Sequence, residues 1–379
     1  MILKTKNFQE VANKILLAVG VDKAAANLEL AAKDTRLYLR VTNREWFVAC
    51  GFDLETPTEF RAVVDANLFL NLISGINTDE FELKINDTNV AVKAGRSSYK
   101  LAMIYENDQL MKLPVIKLDP DQVTVSMPVA NDVLMSILNV NSREVQKAKK
   151  IEVNELQRYY YIDETGCFTF TTGACINSFT LEKPIKLLLT DKVVKLFKLF
   201  NSDVFLSYGH LVNADGSLQP IVVLQTEDVY VATRLLSDET CVQKVKAPCD
   251  AMKALAKEVY EHNLVLSAID LSAAINRLLM FHKNSSVKAD LSFVPAAVEF
   301  SNSELTITDI SGDNKEVITI ENGSSTSGGY SMGVNLIDLK AVLDSCKNEH
   351  ITMNCGNHKS IIINRGSISN VIAETRTKE

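Results

Sequence analysis

The sequence predicts an α+β fold built from a repeated unit: one amphipathic helix followed by several short antiparallel strands. Three observations carry this. Apolar residues recur at helical spacing in six segments beginning near residues 8, 64, 128, 191, 270 and 336, in steps of 56, 64, 63, 79 and 66 residues. Between the helices lie alternating or β-branched runs punctuated by turn residues. One unit of about 60 residues buries a helix face poorly alone, whereas two can close a core with helices on one side of sheets. Three similar domains of two units each are therefore expected, at residues 1–118, 119–244 and 245–379.

The helices follow in order. Phe8 to Gly20 puts Phe8, Val11, Ala12, Ile15, Leu16 and Val19 on one stripe, with Gln9, Asn13 and Lys14 opposite. Val64 to Ile76 turns Leu68, Phe69, Leu72 and Ile73 inward and Asn67, Asn71 and Ser74 outward. Pro128 to about Val140 buries Val133, Leu134, Ile137 and Leu138. The fourth helix has Thr190 as N-cap and buries Val193, Leu196, Phe197 and Phe200. The fifth follows Asp270 with the stripe Leu271, Ala274, Ile275 and Leu278. The sixth follows Asn335, with Leu336, Leu339, Val342, Leu343 and Cys346 inward.

Strands are expected at Asn27–Leu30, Leu37–Thr42, Trp46–Phe52, Phe81–Ile85, Val90–Lys93 and Tyr99–Ile104. Comparable runs are Cys167–Thr171, Val204–Tyr208, Ile221–Gln225 and Val229–Thr233. The last third repeats the theme at Asp290–Val294, Ala297–Phe300, Leu305–Thr308, Val317–Ile320 and Ile361–Ile363. Linkers are expected at Pro114–Asp121 and around Ser237–Pro248, and a Gly/Ser-rich loop at Gly323–Gly333.

Composition narrows the function classes. The 379 residues hold 40 Lys+Arg against 47 Asp+Glu, a formal charge of −7, and 46% apolar residues, ordinary for a chain with real cores. No apolar run approaches the ~18 residues of a membrane span, and Met1-Ile2-Leu3-Lys4 does not open a signal peptide. Seven cysteines, an odd number without tight spacing, fit a reducing cytoplasm. An acidic chain that meets nucleic acid must concentrate its positive charge on one face.

Catalytic chemistry has little to stand on. His210, His262, His282, His350 and His358 form no HExxH pattern and no local triad. Gly323–Gly328 has the first glycine spacing of a phosphate loop but continues Gly329-Tyr330 where Lys-Ser/Thr is needed. Cys346, His350, Cys355 and His358 have spacings that match no common zinc finger, and Cys346 completes a helix stripe, so no metal site is expected. The alternative, a metal-dependent enzyme using those four residues, rests on that cluster alone. No cofactor is expected.

Several local motifs point to a family. Val64-Asp-Ala-Asn-Leu-Phe-Leu-Asn-Leu-Ile73 is similar to a helix start written V-P-A-R, and Gly95-Arg-Ser-Ser-Tyr-Lys-Leu101 to a strand written G-R-S-R-F-x-L. Arg158-Tyr-Tyr-Tyr161 is similar to R-Y-Y-L, and Thr171-Thr-Gly-Ala-Cys-Ile176 stands where T-D-G-H-R-L is found. With the six-unit order, these motifs make the chain resemble the bacterial DNA polymerase III beta-subunit sliding clamps, which are head-to-tail dimeric rings of three-domain chains. Thr172, Ala174 and Cys175 replace the Asp, His and Arg of that motif. Ile372–Glu379 lacks the C-terminal M-P-M-R-L, so the resemblance is to a divergent clamp, bacterial or phage-encoded.

The resemblance implies a processivity factor rather than an enzyme. Helices would line a hole around double-stranded DNA and sheets would form the outside, and a polymerase and clamp loader would dock through short linear motifs. Phosphate contact suits sliding, because it carries no direct sequence information. Lys192, Lys195 and Lys198 fall at steps of three opposite Val193, Leu196 and Phe197. Lys14, Lys23, Arg277, Lys283, Lys340 and Lys347 belong to polar faces or ends of comparable helices. Arg143, Lys147, Lys149 and Lys150 form a basic loop, and Arg158, Tyr159 and Tyr160 would touch the backbone. The implied peptide pocket comprises Tyr161, Thr171, Gly173, Ala174, Cys175 and Ile176, with Pro248 and Ile372. The implied dimer contact pairs the Ser97–Ile104 strand across subunits, with Tyr99 and Leu101 packing on Met280 and Phe281. A ring or scaffold of the same repeat that does not hold DNA is the second reading.

Overall fold

A computed structural model describes residues 1–138, 140, 143–150, 152, 154–213, 215–236, 239–284, 293–301, 303–325, 329–346, 349–356 and 360–375. They form two compact units, Met1–Leu138 with Lys192–Ser237, and Asn139–Asp191 with Asp238–Glu379. Among the described residues the α-helices are α1 (Thr5–Val21), α2 (Ala66–Ser74), α3 (Asn131–Leu138), α4 (Arg143–Lys150), α5 (Asp191–Leu196), α6 (Glu239–Lys257), α7 (Ala268–Asn284) and α8 (Leu336–Leu343). All sheets are antiparallel.

In the first unit an eight-stranded sheet runs in the order Val123–Val129, Val204–Val212, Leu218–Gln225, Val229–Arg234, Trp46–Asp53, Arg36–Thr42, Asn27–Lys33 and Phe60–Asp65. A four-stranded sheet (Ile2–Lys4, Glu80–Ile85, Asn89–Ala94, Ser97–Ala102) stands beside it. The buried stripe Phe8, Ala12, Ile15 and Val19 seats α1, and the Phe8 ring meets Phe52, Phe69 and Phe81 edge-on at centroid distances of 5.3, 6.4 and 5.4 Å. That one aromatic ties α1 to a strand of each sheet and to α2. The expected linker after Pro114 is a strap on the large sheet. Ile116 and Leu118 pack with Phe47, Ala49, Ile221, Val223 and Ala232, and the Tyr230 hydroxyl donates to the Ile116 carbonyl at 3.3 Å.

In the second unit a nine-stranded sheet runs Lys186–Thr190, Tyr159–Asp163, Gly166–Phe170, Ala174–Ser178, Ile368–Ala373, Ser360–Arg365, His350–Cys355, His262–Ser267 and Asn322–Ser325. A four-stranded sheet follows the order Lys315–Thr319, Glu304–Asp309, Pro295–Phe300 and Tyr330–Asn335. One core gathers α7 and α8 through Leu271, Ala274, Ile275, Leu278, Leu336, Leu339, Val342, Leu343 and Cys346, the expected stripes. A second gathers α6 against Tyr161, Phe168, Ala174, Ile176 and Leu188.

Several expectations need correction. Asp65 accepts the Leu68 N–H at 2.7 Å and caps α2, so Val64 and Asp65 end a strand instead of opening the helix. The helix phase rotates accordingly: Leu70 is buried and Leu68 is 60% exposed. Arg143–Lys150 is helix α4, not a loop. The stretch through Pro248 lies in α6, although residues 237 and 238 are outside the described residues. Gly323–Gly333 is largely strand (Asn322–Ser325 and Tyr330–Asn335) on either side of the undescribed 326–328. Of the strand expected at Asp290–Val294, 290–292 lie outside the described residues and Phe293 and Val294 are not strand; Pro295–Phe300 is the strand expected at Ala297–Phe300.

Candidate nucleic-acid interface

The basic row on α5 is built by a change of helix type. Asp191 opens α5, and after Leu196 the chain tightens into a 3-10 turn at Phe197–Leu199. Side chains three apart nearly eclipse in such a turn, so Lys198 stays close in line with Lys195, which lies one α-helical step of three from Lys192. All three are exposed, while Val193, Val194, Leu196, Phe197 and Phe200 are buried. The sequence row is therefore a real surface row. Lys23 and Arg158 are also exposed, and Lys14 is half-buried. Lys347 and the Lys283 side chain lie outside what is described.

Six of the expected cations meet carboxylates. Lys192 Nζ lies 2.7 Å from Asp22 Oδ2, and Lys149 Nζ lies 3.2 Å from Asp191 Oδ2, whose other oxygen accepts the Tyr160 hydroxyl at 3.5 Å. Lys147 reaches Asp338 at 2.8 Å and the Thr172 hydroxyl at 3.0 Å. Arg277 makes a forked pair with Glu316 (2.8 and 2.7 Å), and Lys340 pairs with Asp344 at 2.8 Å. The Lys192 ammonium, the Ala24 N–H and Asn43 together hold the Asp22 carboxyl down at about 2.

Arg143 is the sixth, and it is not a surface group. Its guanidinium is buried against the fully buried Glu144 carboxylate and donates to the carbonyls of Asp338 (3.2 Å) and Val371 (3.3 Å). Glu144 in turn accepts the Thr171 hydroxyl and, at 3.3 Å, the Gly173 N–H. The pair staples α4 onto the turn between two strands, so Arg143 is removed from the DNA-contact set. Tyr160 is also buried, and its hydroxyl donates to Asp191.

Most of the residues expected to line a peptide pocket are buried, while Thr171 is half-buried. Tyr161, Ala174, Cys175, Ile176 and Ile372 are all buried, and α6 lies over the first face through Val242, Val245 and Cys249. Lys253 anchors that helix to Asp163 at 2.7 Å and to Thr165 at 2.8 Å. Burial pushes the Cys249 thiol up to about 12 and raises the Tyr161 hydroxyl well above its ordinary value. Strand alternation splits the expected set further. Ala174 and Ile176 face the α6 core, whereas Ile372 faces the α7–α8 core beside Ile361 and Ile363. Gly173 is required by close approach: a Cβ there would lie 2.3 Å from the Val371 carbonyl. Pro248 is half-buried inside α6.

At the expected dimer contact, Ser97–Ala102 is an edge strand, as anticipated, with Tyr99 44% exposed. Leu101 departs from expectation: it is 4% exposed and belongs to the core. Met280 and Phe281 on α7 are 55% and 57% exposed. The alternative metal cluster does not assemble from what is described. Cys346 and Cys355 are buried, His350 Nδ1 sits 2.7 Å from Glu321, and His358 is outside the described residues. Among the described residues no group of three His, Cys, Asp or Glu is placed to hold a metal, and no helix is long and apolar enough to cross a membrane.

The pairing of Lys192 with Asp22 escaped the sequence because the two are 170 positions apart, whereas Lys340–Asp344, four apart on one helix, was within local reach. The covering role of α6 had a signal. Val242, Val245, Cys249 and Met252 recur at spacings of three and four through Pro248, which read locally as a linker.

Solved structures similar to this chain include a DNA polymerase sliding clamp from Pseudomonas aeruginosa, at TM-score 0.76 and 14% identity over 99% of each chain. The chain is similar to the DNA polymerase III subunit beta of Pseudomonas aeruginosa, at TM-score 0.76 and 14% identity over 99% of each chain. The beta subunit from DNA polymerase of Streptococcus pyogenes gives TM-score 0.76 and 14% identity over 99% of each chain. The DNA polymerase III beta subunit of Thermotoga maritima gives 0.74 and 14% over 99% of this chain and 98% of that one. No family model matches the chain, and no curated protein matches it in sequence. The chain thus has the α+β DNA-clamp fold along its whole length.

Proposed function

We propose that this protein is a DNA sliding clamp: a homodimeric ring that encloses duplex DNA without reading its sequence and tethers a replicative polymerase, loaded by a clamp loader. The carrying observation is that the sliding-clamp fold extends over 99% of this chain and 99% of its structural neighbour. A fragment or single shared motif would leave many functions open; a whole-chain match at this similarity leaves few. We read the chain as three clamp domains at 1–118, 119–244 and 245–379, non-catalytic and cytoplasmic. The exposed lysine row of α5 supports phosphate contact.

Two edge strands support ring closure. Ser97–Ala102 ends one four-stranded sheet and Lys315–Thr319 ends the other, with Tyr99 and Val317 partly exposed. Unpaired edges of this kind are normally covered or paired. For partner docking, Tyr161, Ala174 and Ile176 of the implied pocket pack against α6, so a docking motif there would have to compete with that helix.

Topology gives the test. Sedimentation should give a particle of twice 42.0 kDa. Protein loaded on a closed circular duplex should stay bound through a high-salt wash and be lost once the circle is linearised. Equal loss from circular and linear DNA would sink the clamp reading, and a stable dimer with that behaviour would favour the scaffold ring.

A further inference from the structure

Asp22 stands at an unfavourable place for a carboxylate. It is the C-cap of α1, where the helix dipole presents its negative end. It is nonetheless held from three sides. Oδ1 accepts the Ala24 N–H at 3.1 Å, while Oδ2 accepts Asn43 Nδ2 at 2.8 Å and Lys192 Nζ at 2.7 Å. Asn43 is itself fixed, because its Oδ1 accepts the N–H groups of Glu45 (3.0 Å) and Trp46 (2.9 Å). Glu45 adds a second negative influence on Lys192. The turn and the helix end thus aim one carboxylate at the first lysine of the exposed row.

We propose that Asp22 is a built-in counter-charge that holds Lys192 away from the phosphate backbone and weakens duplex contact, a role that rests on the clamp reading. A phosphate oxygen and the Asp22 carboxylate compete for one ammonium group. Each phosphate contact by Lys192 must break or share the 2.7 Å pair, so it contributes less than a lysine facing only water. For a ring that must move along DNA this is useful. Topology keeps the ring on, and loose contact lets it travel. Lys149 and Asp191 repeat the arrangement at 3.2 Å.

The test is a salt titration of binding to a fluorescent mixed-sequence duplex, comparing wild type with Asp22→Asn. Affinity at low salt should rise about 1.5- to fivefold, the range of one surface ion pair. The slope of log affinity against log salt should steepen by about 0.9, one recovered phosphate. Lys192→Ala should abolish the gain in the Asp22→Asn background. Asp22→Ser carries the same test if the amide variant does not fold. Unchanged affinity and slope, or a gain that survives Lys192→Ala, would overturn the counter-charge role. If wild type is retained on circular DNA and Asp22→Asn behaves identically, this role alone fails; if neither protein associates with DNA, the clamp reading fails with it.

Discussion

Glu144 and Arg143 show how a residue's neighbours decide its job. Both charges are buried and paired with each other; Arg143 also donates to the carbonyls of Asp338 and Val371, and Glu144 accepts from the Thr171 hydroxyl and the Gly173 N–H. Removing one partner leaves a buried charge without its counter-ion, which costs about 3–5 kcal/mol. Arg143→Met should therefore lower unfolding stability by that amount in urea, and adding Glu144→Leu should recover most of the loss. A single variant within about 0.5 kcal/mol of wild type would show that the charge is not confined. Asp22 makes a pH prediction. Its folded-state pKa is depressed to about 2, so its stabilisation is fully present above the unfolded value near 3.8 and is lost as pH falls through about 2. The site is partly open to solvent, so screening trims the contribution to about 1 kcal/mol. Acid titration of Asp22→Asn against wild type should show curves that differ above pH 4 and converge toward pH 2.

At the scale of elements, the lesson is which interactions a linear reading can see. The stripes of α1, α5, α7 and α8 were legible because their apolar period is local, and every inward residue named for α7 and α8 is buried. The start of α2 was misread because a strand runs straight into the helix, and only the cap at Asp65 separates them. α6 was misread because Pro248 suggests a break. Its position is instead set by Val242, Val245 and Cys249 seated on Tyr161 and Ile176, contacts that no local window contains. The lysine row of α5 was legible; its counter-charges, drawn from other elements, were not. Lys253 supplies a test of α6. Lys253→Ala removes the contacts to Asp163 and Thr165 and should raise hydrogen exchange along α6 selectively, leaving α7 and α8 protected. Uniform exchange across the unit would mean that α6 has no separate opening.

At the scale of the whole molecule, DNA retention and ring closure rest on different residues and should separate. Lys195→Glu with Lys198→Glu changes exposed groups only, so DNA retention should fall at least about tenfold with the dimer and melting temperature unchanged. Closure should respond to Tyr99 and not to Leu101 in its own right. Tyr99 is partly exposed on an edge strand, so Tyr99→Glu adds charge where a second sheet would pair, at little cost to the monomer. Leu101 is buried, so Leu101→Ala should cost about 2–5 kcal/mol of stability as a core truncation. Sedimentation at several concentrations distinguishes the two. Tyr99→Glu should give a folded monomer with an unchanged melting temperature per chain, together with loss of retention on circular DNA. Leu101→Ala should melt earlier yet remain dimeric below its transition. If Tyr99→Glu stays dimeric at every concentration, the edge strand is not the closing surface. The exposed Met280 and Phe281 of α7 would then be the next place to introduce charge.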